Sequence, residues 1–262
     1  MLEIKNLSKT FEIDGDPLNN RKALQGINLT IKDHDFIAVI GGNGSGKSTL
    51  LNILAGSVKP DEGSLVLDGV DITKLPEFKR AKFIGRVFQD PLMGSIGDMT
   101  LEENLSLAAR RGKSHGLHWY IRKDERKVYE EMLAPLGLNL EGRLDQRMKS
   151  FSGGERQSIT LLMASFNNPK LLLLDEHTAA LDPKTAAKVM SFTDELVKKN
   201  LTPTLMITHN MKDAIKYGNR LIMMKEGHIV FDCEGEAKKA LTIEKLVSKF
   251  ASDDTVEADG IL

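Results

Sequence analysis

The segment Gly41-Gly42-Asn43-Gly44-Ser45-Gly46-Lys47-Ser48-Thr49 has the residue types and spacing that hold a polyphosphate. It fits G-x-x-x-x-G-K-[ST], between an apolar run at 36–40 that reads as a buried strand and a stretch through Ala55 that reads as a helix. Glycines let successive backbone N–H groups turn toward one anion, and the helix N-terminus brings the positive end of its dipole. Lys47 can neutralise β- and γ-oxygens, and the Ser48 hydroxyl can ligate Mg2+. The dinucleotide fingerprint differs, because it has no Lys-Ser pair.

A phosphate cradle alone binds without hydrolysing. Hydrolysis also needs a carboxylate for the metal and an acceptor for the proton of the attacking water, and Leu171-Leu172-Leu173-Leu174-Asp175-Glu176 supplies both. Four leucines read as a strand buried on both faces, and α/β sites form at the C-terminal edge of such strands. Asp175 would hold Mg2+, mostly through water, while Glu176, aimed differently, can take the proton. Without the phosphate loop, the same pair could be a surface acidic cap on a strand.

A third group, Ser152-Gly153-Gly154-Glu155, opens a helix with apolar Ile159, Leu162, Met163 and Phe166 at i, i+3, i+4 and i+7. This is a second helix N-terminus able to accept an anion. A capping box explains Ser152 and Glu155 but not two adjacent glycines, each costing about 1 kcal/mol in a helix relative to Ala. The expectation is a close approach of this backbone to another group.

The elements that must position these residues follow from periodicity. Residues 2–5 and 27–31 alternate like one-sided antiparallel strands, and 36–40 is continuously apolar. Between the first two, Asp14-Gly15-Asp16-Pro17-Leu18-Asn19-Asn20 reads as a turn cluster. A strand is expected at 83–88, and residues 100–166 read as helical, with capping boxes starting at Thr100 and Ser152. Strands at 171–174, 204–207, 221–224 and 229–231 then alternate with helices behind Asp182-Pro183 and Asn210, and Thr242 caps a last helix through Phe250. The pattern predicts an α/β fold with a mostly parallel core sheet, an N-terminal antiparallel β-subdomain and a helical insert at about 95–165, all in one domain over 1–250. Residues 251–262 are expected to be a frayed acidic tail.

Composition narrows the class. The 262 residues carry 36 Lys+Arg against 37 Asp+Glu, a formal charge of −1, so no global field attracts nucleic acid or an anionic surface. The single cysteine, Cys233, excludes an internal disulfide and fits a half-buried hydrophobe in a reducing compartment. No window reaches the roughly 18 apolar residues of a membrane span, and the N-terminus lacks the pattern of a signal peptide, which suggests a cytosolic chain. A basic run at 110–127 reads as a solvated helix face, with lipid headgroups or nucleic acid as alternatives. Nucleic acid would want more interleaved aromatics, so none is expected as a partner.

Together, in this order, these motifs resemble the nucleotide-binding subunits of ATP-binding-cassette (ABC) transporters, over essentially residues 1–235. In that family 41–49 corresponds to Walker A, 171–175 to Walker B, and Phe151-Ser152-Gly153-Gly154-Glu155 to the signature sequence. The resemblance implies that Gln89 is the Q-loop glutamine touching Mg2+ and water and that Ala179-Ala180-Leu181-Asp182 is the D-loop. It makes His209 the switch histidine at the γ-phosphate and Phe11 the ring stacked on adenine, where Phe11 alone could equally be core. It also implies a head-to-tail dimer in which ATP on one copy is covered by residues 152–155 of the other, with in-line attack by water.

Departures from the pattern are Phe151 for Leu, Glu155 for Gln with Arg156 beside it to offset the charge, His177 for the Pro usual after the glutamate, and Ala179 for a common Ser. None removes a group the mechanism needs. Lys47 and Ser152 are 105 residues apart, too close for the coiled coils of chromosome-segregation relatives, and one cassette is too few for translation factors. A soluble iron–sulfur assembly ATPase or a regulatory nucleotide-binding module remains the alternative. Transport is the favoured reading, with a separate permease docking near Asp90-Pro91-Leu92-Met93, His118-Trp119-Tyr120-Ile121 at that contact or in local core, and an extracellular substrate-binding protein upstream. The resemblance extends to bacterial importers of amino-acid type, which would place the chain on the inner face of the cell membrane with an aromatic amino acid as cargo.

Overall fold

The computed structural model describes residues 1–13, 16–113 and 123–255. A hairpin of β1 (Leu2–Ile13) and β2 (Asp16–Ile31) leads to β3 (Phe36–Gly41) and helix α1 (Lys47–Ala55). β4 (Glu62–Leu67), β5 (Val70–Asp71), the short α2 (Glu77–Arg80) and β6 (Ile84–Val87) follow. Helices α3 (Leu101–Ala109), α4 (Lys123–Leu133) and α5 (Gly153–Ser165) come next, with 3-10 turns between the last two. The chain then alternates through β7 (Leu171–Asp175), α6 (Pro183–Asn200), β8 (Thr204–Ile207), α7 (Met211–Lys216), β9 (Arg220–Lys225) and β10 (His228–Glu234), and closes on α8 (Gly235–Lys239) and α9 (Ile243–Thr255).

Two sheets result. One has the order β2-β1-β4-β5 and is antiparallel; the other runs β10-β9-β3-β8-β7-β6, parallel from β9 to β6 with β10 antiparallel at its edge. The continuously apolar strands are continuous because alternate residues feed different cores. Leu171 and Leu173 of β7, with Ile37 and Val39 of β3, pack among Leu50 and Leu54 of α1. Leu172, Leu174, Ala38 and Ile40 face the other way, toward Leu161 of α5 and Met190 of α6. A third cluster, including Leu101, Leu105, Tyr129, Leu133, Ile159 and Phe166, belongs to the helical segment itself.

Some boundaries differ from the pattern. Residues 16–20, which read as a turn, lie in β2 because pairing with β1 continues to Ile13↔Asp16, its register shifts absorbed along the hairpin. β6 is shorter than 83–88, and α9 runs past Phe250 to Thr255 because no Gly or Pro intervenes, so the expected tail begins within a helix. Of the basic run, Arg110 pairs with Glu125, Arg126 with Glu102 and Asp145, and Arg111 donates to the carbonyls of Ala164 and Phe166. These arginines tie the helical segment together, where a solvated face was expected. His118-Trp119-Tyr120 lies outside the described residues.

One buried cation braces the helix behind the phosphate loop. Arg80 is 1% exposed, and its guanidinium donates to the carbonyls of Ile53 (2.6 Å) and Leu54 (2.9 Å) in the last turn of α1, and to those of Thr73 and Leu75. The Ile53 carbonyl also accepts from the Gly56 N–H at 3.2 Å, but that of Leu54 has no backbone donor at the helix end and would otherwise be orphaned. Arg80→Met is expected to cost about 2–4 kcal/mol of stability, read as a lower urea midpoint. An unchanged midpoint would remove the capping role.

Candidate nucleotide site

The phosphate loop joins β3 to α1, and the last residues of β7 and β8 arrive beside it because both strands run parallel to β3. They enclose a cavity of about 230 Å3 that gathers Phe11, Asn43, Gly44, Gly46, Lys47, Ser48, Thr49, Glu176 and His209. Gly42 and Ser45 line an adjoining cavity of about 510 Å3, and Gly41 lies against the Met224 carbonyl. Gly46 has φ +100°, and a Cβ there would meet the Ala23 carbonyl at 2.4 Å, so no other residue fits without moving β2. The β9–β10 turn staples the loop: Gly227 N–H donates to the Ser45 carbonyl, and Gln25 N–H donates to that of Gly227.

Lys47 is 6% exposed, and its Nζ donates to the carbonyls of Gly41 and Gly42, both at 2.9 Å. Burial pulls this ammonium below the ordinary lysine value, against the opposing pull of the Glu176 and Asp175 carboxylates. Phe11 is exposed at the cavity rim, not in the core, directly opposite Arg21 across the hairpin. Arg21 also lines both cavities.

Glu176 follows β7 with φ +45°, a strained conformation for a residue with a Cβ, and its N–H donates to the Ile207 carbonyl of β8. Its carboxylate is 2.5 Å from His209 Nε2. The next residue, His177, is buried, with Nε2 3.0 Å from the Thr193 hydroxyl, which itself donates to the Val189 carbonyl of α6. The hydroxyl proton is therefore committed, and the ring N–H must be the donor. Burial pushes His177 down to about 4, so this ring is a neutral strut beside Glu176. Asp175 has Arg86 Nη2 at 3.5 Å, and that guanidinium also donates to Asn52 Oδ1 in α1.

Gln89 is exposed beyond β6, and neither it, Asp182 nor residues 152–155 line the main cavity. Asp182 caps α6 through the Thr185 N–H at 3.1 Å, and the hydroxyl and N–H of Thr185 hold its carboxyl below the usual range. Ser152 caps α5 in a full capping box with Glu155. Gly154 meets its close neighbour within the same chain: a Cβ would lie 2.0 Å from Thr185 Cγ2 of α6. Arg156 does not offset Glu155, since it donates to the Phe151 carbonyl; Arg143 takes that part. Burial would raise the Glu155 pKa, but the Ser152 N–H and Arg143 together hold it low.

Sequence reading missed four residues: Arg21, Arg86, Arg143 and Thr185. Of these, only Arg21 carried a signal, in the pairing that a hairpin through Phe11 would impose. The other three contacts join elements distant in sequence.

A phosphate loop and an acidic strand end on a parallel sheet, with a second helix N-terminus at the head of a helical segment, define a phosphate-loop nucleoside triphosphatase of the cassette type. The chain belongs to the ABC transporter family, whose sequence model, described as "ABC transporter", matches residues 24–179. It is 45% identical over 251 residues to the tyrosine transport ATP-binding protein of Clostridioides difficile (strain R20291), covering 95% of this chain and 98% of that one. It is 33% identical to a phosphonates import ATP-binding protein of Ruegeria sp. (strain TM1040), across all of both chains. Among solved structures, it matches the dimeric, ADP- and Pi-bound post-hydrolysis state of the cassette MJ0796 at TM-score 0.75 and 31% identity, covering 89% of this chain and 98% of that one. The ADP conformation of the cassette MJ1267 matches at TM-score 0.77 and 29% identity, over 96% and 98%.

The chain is thus an ABC ATPase with ATP as substrate and Mg2+ as metal. The donors fit both: Lys47 already holds two carbonyl oxygens where phosphate oxygens can replace them, and Ser48 and Asp175 offer the hard oxygen ligands Mg2+ prefers. Gly154→Ala is expected to destabilise the chain by about 1–3 kcal/mol through overpacking against Thr185. Adding Thr185→Ser, which removes Cγ2, should restore most of the loss in thermal melts, and no recovery would separate the two positions.

Proposed function

We propose that this chain is the ATP-hydrolysing subunit of a bacterial importer, with tyrosine or a related aromatic amino acid as cargo. The cargo rests on one observation, the 45% identity to the tyrosine transport ATP-binding protein along 95% of the chain. The phosphonates import relative is more distant in sequence and supports import rather than cargo.

The chemistry is assigned residue by residue. Asn43, Gly44, Gly46, Lys47, Ser48 and Thr49 hold the phosphates, with Gly41, Gly42 and Ser45 shaping the loop, and Phe11 offers a stacking face for adenine. Ser48, Asp175 and Gln89 would hold Mg2+, which would offset phosphate charge. Glu176 accepts the proton of the attacking water, Lys47 exchanges its loop carbonyls for phosphate oxygens, and His209 Nε2 exchanges the Glu176 carboxylate for the γ-phosphate.

Residues 152–155 and Asp182 stand away from the cavity, which supports a head-to-tail pair in which each copy's Ser152, Gly153, Gly154 and Glu155 cover ATP held by the other. The dimeric form of the similar cassette supports the same reading. A groove of about 410 Å3 beside the Gln89 segment, lined by apolar Met93, Ile96, Leu107 and Met163 together with Arg86, Asn104 and Arg111, suits an amphipathic helix of a membrane permease. Met93 is 67% exposed at its mouth. ATP-driven closure would then move a permease fed by an extracellular binding protein, with this chain on the inner face of the membrane.

Glu176→Gln should keep ATP binding, dimerise with ATP and lose at least about 100-fold in turnover; normal turnover removes Glu176 as the base. The wild-type rate per subunit should rise with protein concentration, and a constant rate at low concentration counts against paired sites. In vesicles with its permease and binding protein, tyrosine should stimulate ATP hydrolysis. Stimulation by a phosphonate alone would reassign the cargo.

A further inference from the structure

Glu155 puts a carboxylate at the N-terminus of α5, the end that the head-to-tail reading turns toward the γ-phosphate of ATP on a second copy. A carboxylate stabilises its own helix there but repels another anion. Arg143 meets this charge from outside every motif, on the 3-10 turn Glu141–Arg143. Its Nη1 pairs with Glu155 Oε1, its Nε donates to Gln146 Oε1 at 2.9 Å, and its guanidinium lies 4.4 Å from the centre of the Phe151 ring. Glu155 Oε2 accepts from the Ser152 N–H at 2.7 Å, so both carboxylate oxygens are engaged. The cation is held on three sides, two of them independent of Glu155, and is ready before any nucleotide arrives.

We propose that Arg143 is a positioning residue for ATP-driven closure: by neutralising Glu155 it keeps the α5 N-terminus attractive to the phosphate of the partner copy's ATP. The inference rests on the head-to-tail reading above. It also explains how Glu stands where the family usually has Gln, since the Arg143–Glu155 pair presents a net charge close to that of a neutral amide.

The test uses the full chain with Glu176→Gln, in which hydrolysis does not interfere, and measures the ATP concentration for half-maximal dimer by sedimentation. Arg143→Met should raise it about tenfold at low salt, and less at high salt, because charge at a helix end is screened. Arg143→Lys should stay near the parent. The decisive variant is Arg143→Met with Glu155→Gln, which should return to within about twofold of the parent, since removing the carboxylate removes the need for the cation. Binding of a fluorescent ATP analogue to the monomer, and the thermal midpoint, should stay near the parent in every variant. The proposal is overturned if Arg143→Met dimerises like the parent, or if the double variant is no better than Arg143→Met, which would make Arg143 a packing partner of Phe151 only. A parent that stays monomeric in saturating ATP overturns the dimer reading itself, and that outcome is read without any change at Arg143.

Discussion

A buried ammonium organises the site. Lys47 is almost fully enclosed, and in this structure its Nζ is satisfied by the carbonyls of the loop that precedes it. A buried cation without partners would cost several kcal/mol, so the loop must curl over Lys47 whether or not phosphate is present. That curl dictates the rest. It brings Gly46 against the Ala23 carbonyl, where a side chain has no room, and it lets the β9–β10 turn bind the Ser45 carbonyl. Three distant segments, β2, the loop and the β9–β10 turn, thus become one rigid cradle, and phosphate oxygens have only to replace carbonyls already at hydrogen-bonding distance.

The acidic side is held differently. Glu176 sits in left-handed backbone that a residue with a side chain adopts at a cost, and such strain persists only where neighbours enforce it. The enforcing contacts are the Glu176 N–H on the Ile207 carbonyl and the neutral His177 ring on Thr193. A proline after the glutamate would restrict the chain by its own ring. Here a histidine does so through a hydrogen bond to α6, which ties the carboxylate's position to that helix.

Much of this was legible in the sequence. The phosphate loop, the four-leucine strand, the acidic pair and the capped α5 each carry a local signal, because the chemistry constrains adjacent residues. Local patterns misjudged the hairpin, since residues 16–20 look like a turn but pair with β1 through register shifts that no local rule encodes. They also misjudged the partners of charges. Adjacency points from Glu155 to Arg156, whereas Arg143, twelve positions away on a 3-10 turn, is the one that reaches it, its guanidinium lying over the Phe151 ring. Likewise the adjacent glycines signal a close approach without saying that it falls on Gly154 alone and that the approaching atom belongs to Thr185, since a Cβ on Gly153 would meet only Leu181 at 3.4 Å.

That last contact bears on how the two halves of the site are linked. Helix α6 begins at the Asp182 cap, places Thr185 against Gly154 one turn later, and offers Thr193 to His177 further along. The helix that would reach a second copy's ATP and the carboxylate that would activate water on this copy's ATP therefore rest on the same rigid rod. Space at Gly154 is already below van der Waals distance for any added atom, so α5 and α6 have no slack at their crossing. A shift of the α5 N-terminus on closure must then be carried by α6 or absorbed by rotation about this one glycine. The first outcome would move His177 together with Glu176, so a contact made on one ATP would be felt at the base acting on the other.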